Sequence, residues 1–314
     1  MAKAADIPPE VAESHPQKWL AEVLRVRFEE VLQFLDAALD PSGVDAVHDI
    51  RVAIRRLRSV LRDFASVVDK RPLAELTKAL KKLGGELGRV RDIDVLIEEL
   101  EDLEKDGDGK NSEGIRLIID DLRKRRTGES KALEKSITGE FVLELRTRFT
   151  ASIESALRQR RLFEFESVRD EGSRTIQKCL GEFQELSGAL YRPYSVKRLH
   201  RLRIAGKHLR YAIELFQPQF GDALKPFAEG MKRMQSHLGE IHDCDVWVEQ
   251  MRLIAKRKDK NSEADKLKHD AAVWLLSQFV ERRTRAYTSA LGLWSEWDSG
   301  GFCRELGSTV SRNE

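Results

Sequence analysis

Segment 47–64 reads VHDIRVAIRRLRSVLRDF. Wound at about 100° per residue, it puts His48, Arg51, Arg55, Arg58 and Arg62 on an arc of about 80°. Val47, Ile50, Ile54, Leu57, Leu61 and Phe64 fall on the adjoining arc. Such a helix buries its apolar face and carries a basic stripe on its flank. At a rise of about 1.5 Å per residue, the stripe is about 21 Å long. Solvated helix faces normally mix charge signs, with acid and base supporting each other four residues apart. Residues 48–62 hold five Arg and a single Asp. Crowded like charges cost free energy and call for a polyanion or for carboxylates from elsewhere. Phosphate suits them chemically, since a guanidinium donates to its oxygens in a two-pronged fork. The histidine adds a donor whose charge follows pH.

The same pattern occurs twice. Segment 199–216 reads LHRLRIAGKHLRYAIELF, and a shift of 152 aligns His48 with His200, Arg51 with Arg203, and Arg55 with Lys207. Arg58 aligns with Arg210 and Phe64 with Phe216, while Glu214 replaces Arg62 and closes the second stripe earlier. Residues 197–211 hold four Arg, two Lys and no acid. A second pair follows at a shift of 151: LGRVRDIDV at 87–95 and LGEIHDCDV at 238–246. A weaker echo pairs Arg125-Arg126-Thr127 with Arg282-Arg283-Thr284. Ordered matches at one offset identify an internal repeat.

The second motif brings more candidates. Leu80-Lys81-Lys82-Leu83 aligns with Met231-Lys232-Arg233-Met234. A core face at Leu80, Leu83 and Leu87 leaves Lys81 or Lys82 at the border, and Lys232 or Arg233 likewise. Gly88 and Gly239 suit a helix end or a close helix approach. Asp92, Asp94, Asp243 and Asp245 suit N-caps of a following helix or acceptors for arginines at the core edge. Their alternative reading is a D-x-D pair holding Mg²⁺ against phosphate.

The elements that must position these residues are helical throughout, because apolar residues recur every three or four positions. The pattern predicts helices over about 18–39, 44–68, 73–87 and 93–105. A polar, Gly-rich loop is expected at 106–113, then helices at about 114–135, 141–157 and 168–190. Residues 1–17 read as a flexible tail. The repeat divides the rest into two helical halves, 18–160 and 165–310. The chain has 314 residues, a net charge of +2, 34% charged and 41% hydrophobic residues. That composition is too apolar for a disordered chain. Three widely spaced cysteines form neither a disulfide framework nor a cysteine zinc site. The absence of an apolar leader or an 18-residue apolar run points to a cytoplasmic protein without a membrane partner.

The patterns V-H-x-x-R-V-x-x-R-R-L-R, L-G-x-x-R-D-x-D-V and L-H-x-L-R-x-x-x-K-x-L-R-Y resemble the CHAD family, the conserved histidine α-helical domain, over about 18–310. The resemblance implies an all-α fold of two homologous antiparallel four-helix bundles related by a pseudo-two-fold, with a basic groove or pore between them. It implies binding of inorganic polyphosphate, often at polyphosphate granules, without catalysis or a cofactor. His48, Arg51, Arg55, Arg58, His200, Arg203, Lys207 and Arg210 occupy the family's motif positions. Lys81 and Lys232 match a basic position before Leu-Gly. The E-x-E-x-K signature of the CYTH domain, to which many relatives are fused, does not occur. Ala205-Gly206 replaces a usual basic or polar pair, and His242 stands where the first half has Arg91.

Two other classes compete. RNA carries the same backbone charge but needs aromatic stacking platforms, and Tyr211 alone lies near a stripe. A metal-dependent phosphohydrolase would use the doublets His48-Asp49 and His242-Asp243. They fall at non-equivalent motif positions and lack a further histidine at ligand spacing.

Overall fold

The three-to-four periodicity carries through into ten α-helices among the described residues, joined in places by short 3-10 turns. The computed structural model describes residues 5, 7, 15–37, 44–65, 70–106, 109–157, 166–257 and 262–311. Most of the expected tail 1–17 and the expected helix end at 66–68 lie outside them. The helices are α1 (Pro16–Ala37), α2 (Val44–Asp63), α3 (Lys70–Asp106), α4 (Gly109–Ser136) and α5 (Gly139–Leu157). They continue as α6 (Val168–Ser187), α7 (Val196–Phe220), α8 (Lys225–Ala255), α9 (Glu263–Gly300) and α10 (Phe302–Ser311).

Two expectations need correction. The break anticipated between 87 and 93 does not exist: α3 is a single helix of 37 residues running through Gly88 and Asp94. Gly costs a helix interior only about 1 kcal/mol, which the buried row Leu80, Leu83, Leu87 and Val90 readily offsets. Asp92, Asp94, Asp243 and Asp245 are therefore mid-helix residues and not N-caps. The loop expected at 106–113 is shorter, since α4 already begins at Gly109.

The helices form two compact units. The first comprises Met1–Val95 and Arg123–Glu171, and the second comprises Leu96–Leu122 and Gly172–Glu314. α3 and α4 thus each give one portion to either unit. In the first unit α1 packs on α2, with Leu20, Leu24, Ile50, Ile54, Leu57 and Leu80 buried. Phe28 stacks on Phe149 of α5 with ring centres 3.7 Å apart. Each such side chain contributes about 1.5–3 kcal/mol when fully buried.

In the second unit α8 packs against α7 and α9. Here small residues set how near the helices come. A Cβ at Gly114 would lie 2.3 Å from the Leu267 carbonyl oxygen, so α4 meets α9 backbone to backbone. A Cβ at Gly172 would meet the Phe216 ring at 2.8 Å. Trp247, Trp294 and Trp297 are buried, and Trp297 stacks on Phe302 at 4.0 Å. Gly301, with φ of 77°, turns the chain from α9 into α10, a conformation glycine adopts without steric cost. Among the described residues no helix is long and apolar enough to cross a membrane, and the three cysteines are free thiols.

Candidate functional site

In the first unit the stripe lies along α2 as the helical wheel predicts. Val47, Ile50, Ile54, Leu57 and Leu61 are buried, while His48, Arg51, Arg55, Arg58 and Arg62 are half-buried beside them. Arg51 reaches across to α3, where Nη1 donates to the Gly88 carbonyl at 3.2 Å and to Asp92 Oδ1 at 3.1 Å. Its guanidinium lies 3.8 Å from where a Gly88 Cβ would stand, so Gly88 serves a close approach of a side chain. Arg62 pairs with Asp63 and also donates to Ser59 Oγ. Arg58 Nε is buried with no acceptor among the described residues. A buried donor in that state is costly unless a ligand or water meets it. Burial, followed by the neighbouring charges of Arg91 and Arg55, holds the His48 imidazole below its ordinary pKa.

In the second unit α7 repeats the row with His200, Arg203 and Lys207 half-buried. Arg210 differs from its counterpart Arg58. It is buried, pairs with Glu214 at 3.3 Å and lies 5.1 Å from the centre of the Tyr211 ring. Tyr211 is itself buried and offers no stacking face. His200 Nδ1 lies 3.3 Å from His242 Nδ1 of α8. Burial, then the charges of Arg203, His200 and Lys207, pushes His242 down to about 4. Burial, then Arg203 and Lys207, lowers His200 as well.

The weak third echo of the sequence has structural content. Arg126 Nε binds Asp94 Oδ1 at 2.5 Å in the first unit, and Arg283 Nε binds Asp245 Oδ1 at 2.6 Å in the second. These aspartates are therefore arginine acceptors at the core edge, one of the three sequence readings. Asp92 accepts from Arg51. Among the described residues no group of three or more His, Cys, Asp or Glu side chains is placed to hold a metal ion. The acids that balance the net charge are partly engaged too, since Arg282 joins Glu99 and Glu240.

Lys81, Lys82, Lys232 and Arg233 are all exposed, next to the buried Leu80, Leu83, Met231 and Met234. Neither member of either pair is singled out. Ala205-Gly206 lies in the core, where a Cβ at Gly206 would meet the Phe183 ring at 3.3 Å and Met231 at 3.5 Å. The small pair is there for packing and lies off the basic row. The wheel could not give the His200–His242 contact or Tyr191 and Tyr194. The contact joins two helices. Tyr191 and Tyr194 are 63% and 92% exposed in the turn before α7.

No curated protein sequence matches the chain. Its fold is shared by solved structures, among them the following two. A crystal structure of the CHAD domain from the plant Ricinus communis is 22% identical, with a TM-score of 0.71, covering 93% of this chain and 94% of that one. PptA from Streptomyces chartreusis is 17% identical, with a TM-score of 0.67, covering 90% and 100% respectively. The model of the CHAD domain family matches residues 22–252, a stretch holding both stripes, both Leu-Gly motifs and the histidine pair. The chain belongs to the CHAD domain family.

Proposed function

We propose that this protein binds inorganic polyphosphate through the two stripes and does not act on it chemically. The contacting residues are His48, Arg51, Arg55, Arg58 and Arg62 of α2 and His200, Arg203, Lys207 and Arg210 of α7. Lys81 or Lys82 and Lys232 or Arg233 stand at the margins. The observation that carries this reading is the repetition, on α2 and α7, of a cationic row set half-buried beside a buried apolar face. A linear polyanion binds such a row by displacing condensed counterions, so affinity falls linearly with the logarithm of salt concentration. Long chains gain from every phosphate engaged, whereas orthophosphate engages one. Affinity for the polymer would also place the protein at polyphosphate granules, as a tagged copy would show by microscopy.

The test is a titration with polyphosphate of defined lengths over a salt series, with orthophosphate release followed in parallel with and without divalent metal. Tight binding of long chains, weak binding of orthophosphate and no release is the expected result. Metal-dependent release would replace this reading with a phosphohydrolase.

A second reading is single-stranded RNA. It is favoured by Tyr191 and Tyr194, exposed beside the exposed Arg192, Lys197 and Arg198. Arg283 Nη2 donates to the Pro193 carbonyl at 2.8 Å and Tyr287 donates to the Leu190 carbonyl, which fixes the turn that carries the two rings. Bases stack on such rings while cations track the backbone. Competition at equal phosphate concentration separates the readings: polyphosphate displaces RNA if the stripes dominate, and Tyr194→Ala weakens RNA binding alone if the turn does.

A further inference from the structure

The two stripes differ at one chemically distinct place. In the first unit the histidine at the start of the stripe has Arg91 as its charged neighbour on α3. At the matching place in the second unit stands His242, and the two imidazoles touch, with ring centres 4.5 Å apart and planes inclined by 42°. We infer that His242 joins His200 as a phosphate-contacting pair, and that polyphosphate binding at the second stripe takes up protons from solvent. The inference rests on the polyphosphate reading.

At an Nδ1–Nδ1 distance of 3.3 Å, one ring donates and the other accepts, so the neutral pair holds one proton between the two nitrogens. From α7 the pair faces Arg203 and Lys207. On α8 the near acids are Glu240, Asp243 and Asp245. Glu240 is bound to Arg282 and Asp245 to Arg283, both of α9. Without an anion, a second proton would add charge to a cationic, half-buried place. A phosphate oxygen reverses that balance, because it supplies the opposite charge at hydrogen-bonding distance. The accepting ring then gains a proton from buffer, and each ring donates to the polymer. Burial and the neighbouring cations keep both rings neutral in the free protein at neutral pH. Affinity therefore rises as pH falls below neutrality, and the gain ends where the rings take up protons in the free protein, which for His242 is at about 4. Long chains make the cleanest ligand, since only terminal phosphates titrate near pH ~6, and their protonation works in the opposite direction.

The experiment is isothermal titration of the full chain with long polyphosphate in buffers of different ionisation enthalpy. Measurements are made near pH ~6 and near pH ~8 at fixed ionic strength. His48 takes up protons on its own account, so the quantity read is the difference between wild type and variant. His242→Gln is expected to take up about one proton fewer near pH 6 and to bind about tenfold more weakly there, with a loss of about twofold near pH 8. His242→Arg copies the first unit's arrangement. It is expected to bind more tightly than wild type near pH 8 and to gain less on acidification. Circular dichroism confirms that each variant folds, and either one suffices. Proton uptake by these variants equal to that of wild type overturns the inference while leaving polyphosphate binding standing. Wild type that binds no polyphosphate at either pH overturns the functional reading as well.

Discussion

The two units present the same motif in two electrostatic forms. In the first, the stripe is permanent: Arg91 backs its histidine and Arg62 extends it. In the second, Glu214 both shortens the stripe and draws in Arg210, and a neutral histidine pair stands where the first has a fixed charge. The scaffolding beneath is repeated closely, with the Arg126–Asp94 and Arg283–Asp245 pairs agreeing in distance. What diverged is the outward chemistry, and what stayed is the clamp that sets the helices. A duplicated site can thus keep its geometry and change when its charge is present.

The strongest test of that comparison reverses one charge in each stripe. Arg51→Glu with Arg203→Glu is expected to weaken polyphosphate binding about a thousandfold, since each charged contact is worth about 1.5–3 kcal/mol. The single changes, measured by titration with helical circular dichroism intact, rank the stripes, and Arg51→Glu is the costlier at pH ~8. Next in size is packing. Gly114→Ala forces a methyl into the Leu267 carbonyl and costs about 3 kcal/mol or more by urea unfolding. Removing the clamp comes third. Asp94→Ala and Asp245→Ala each take the carboxylate away from a largely buried arginine and are expected to cost about 2–3 kcal/mol. Similar losses in Tm would support equivalent clamps, and a large disparity would break the equivalence.

Acid stability follows from the histidines. His242 is held down to about 4 by burial first, while in the unfolded chain it takes a proton near its ordinary 6.5. The stability tied to its neutral form is complete above about 6.5 and drains away as pH falls towards about 4. His48 and His200, lowered in the same sense, add to the loss. Urea midpoints of His242→Gln should fall less than those of wild type across this window. The smallest effect is a gain. Gly239 has open space around its missing Cβ, so Gly239→Ala should stabilise by about 1 kcal/mol, seen as a raised Tm.

Much of this is legible in the amino-acid sequence. The core and stripe of α2 follow from one helical wheel, because a helix fixes the direction of each side chain from its position alone. The repeat revealed the second stripe, and even its faint third echo marked the arginines that bind Asp94 and Asp245. Less legible was where helices stop. Gly88 and the Asp92–Asp94 run carry end signals, yet α3 passes through them because burial on its apolar face outweighs local propensity. The His200–His242 contact was hidden for another reason. It joins residues 42 apart on different helices, and no single-helix periodicity encodes such a meeting. Ala205-Gly206 departs from the family pattern, and its reason, packing against Phe183 and Met231, lies in neighbours from other helices.

Residues 96–122 come from the first repeat and belong to the second unit. A cut between the repeats, near residue 160, would therefore not yield two self-sufficient pieces. The downstream fragment would lose the helical turns around Ile115, Ile118 and Ile119, which are buried, and expose the part of α9 that Gly114 fits against. The upstream fragment would carry those same turns with nothing to cover them. The repeat in the sequence and the unit in the structure are therefore not the same stretch of chain, and deleting one repeat removes residues that the other unit buries.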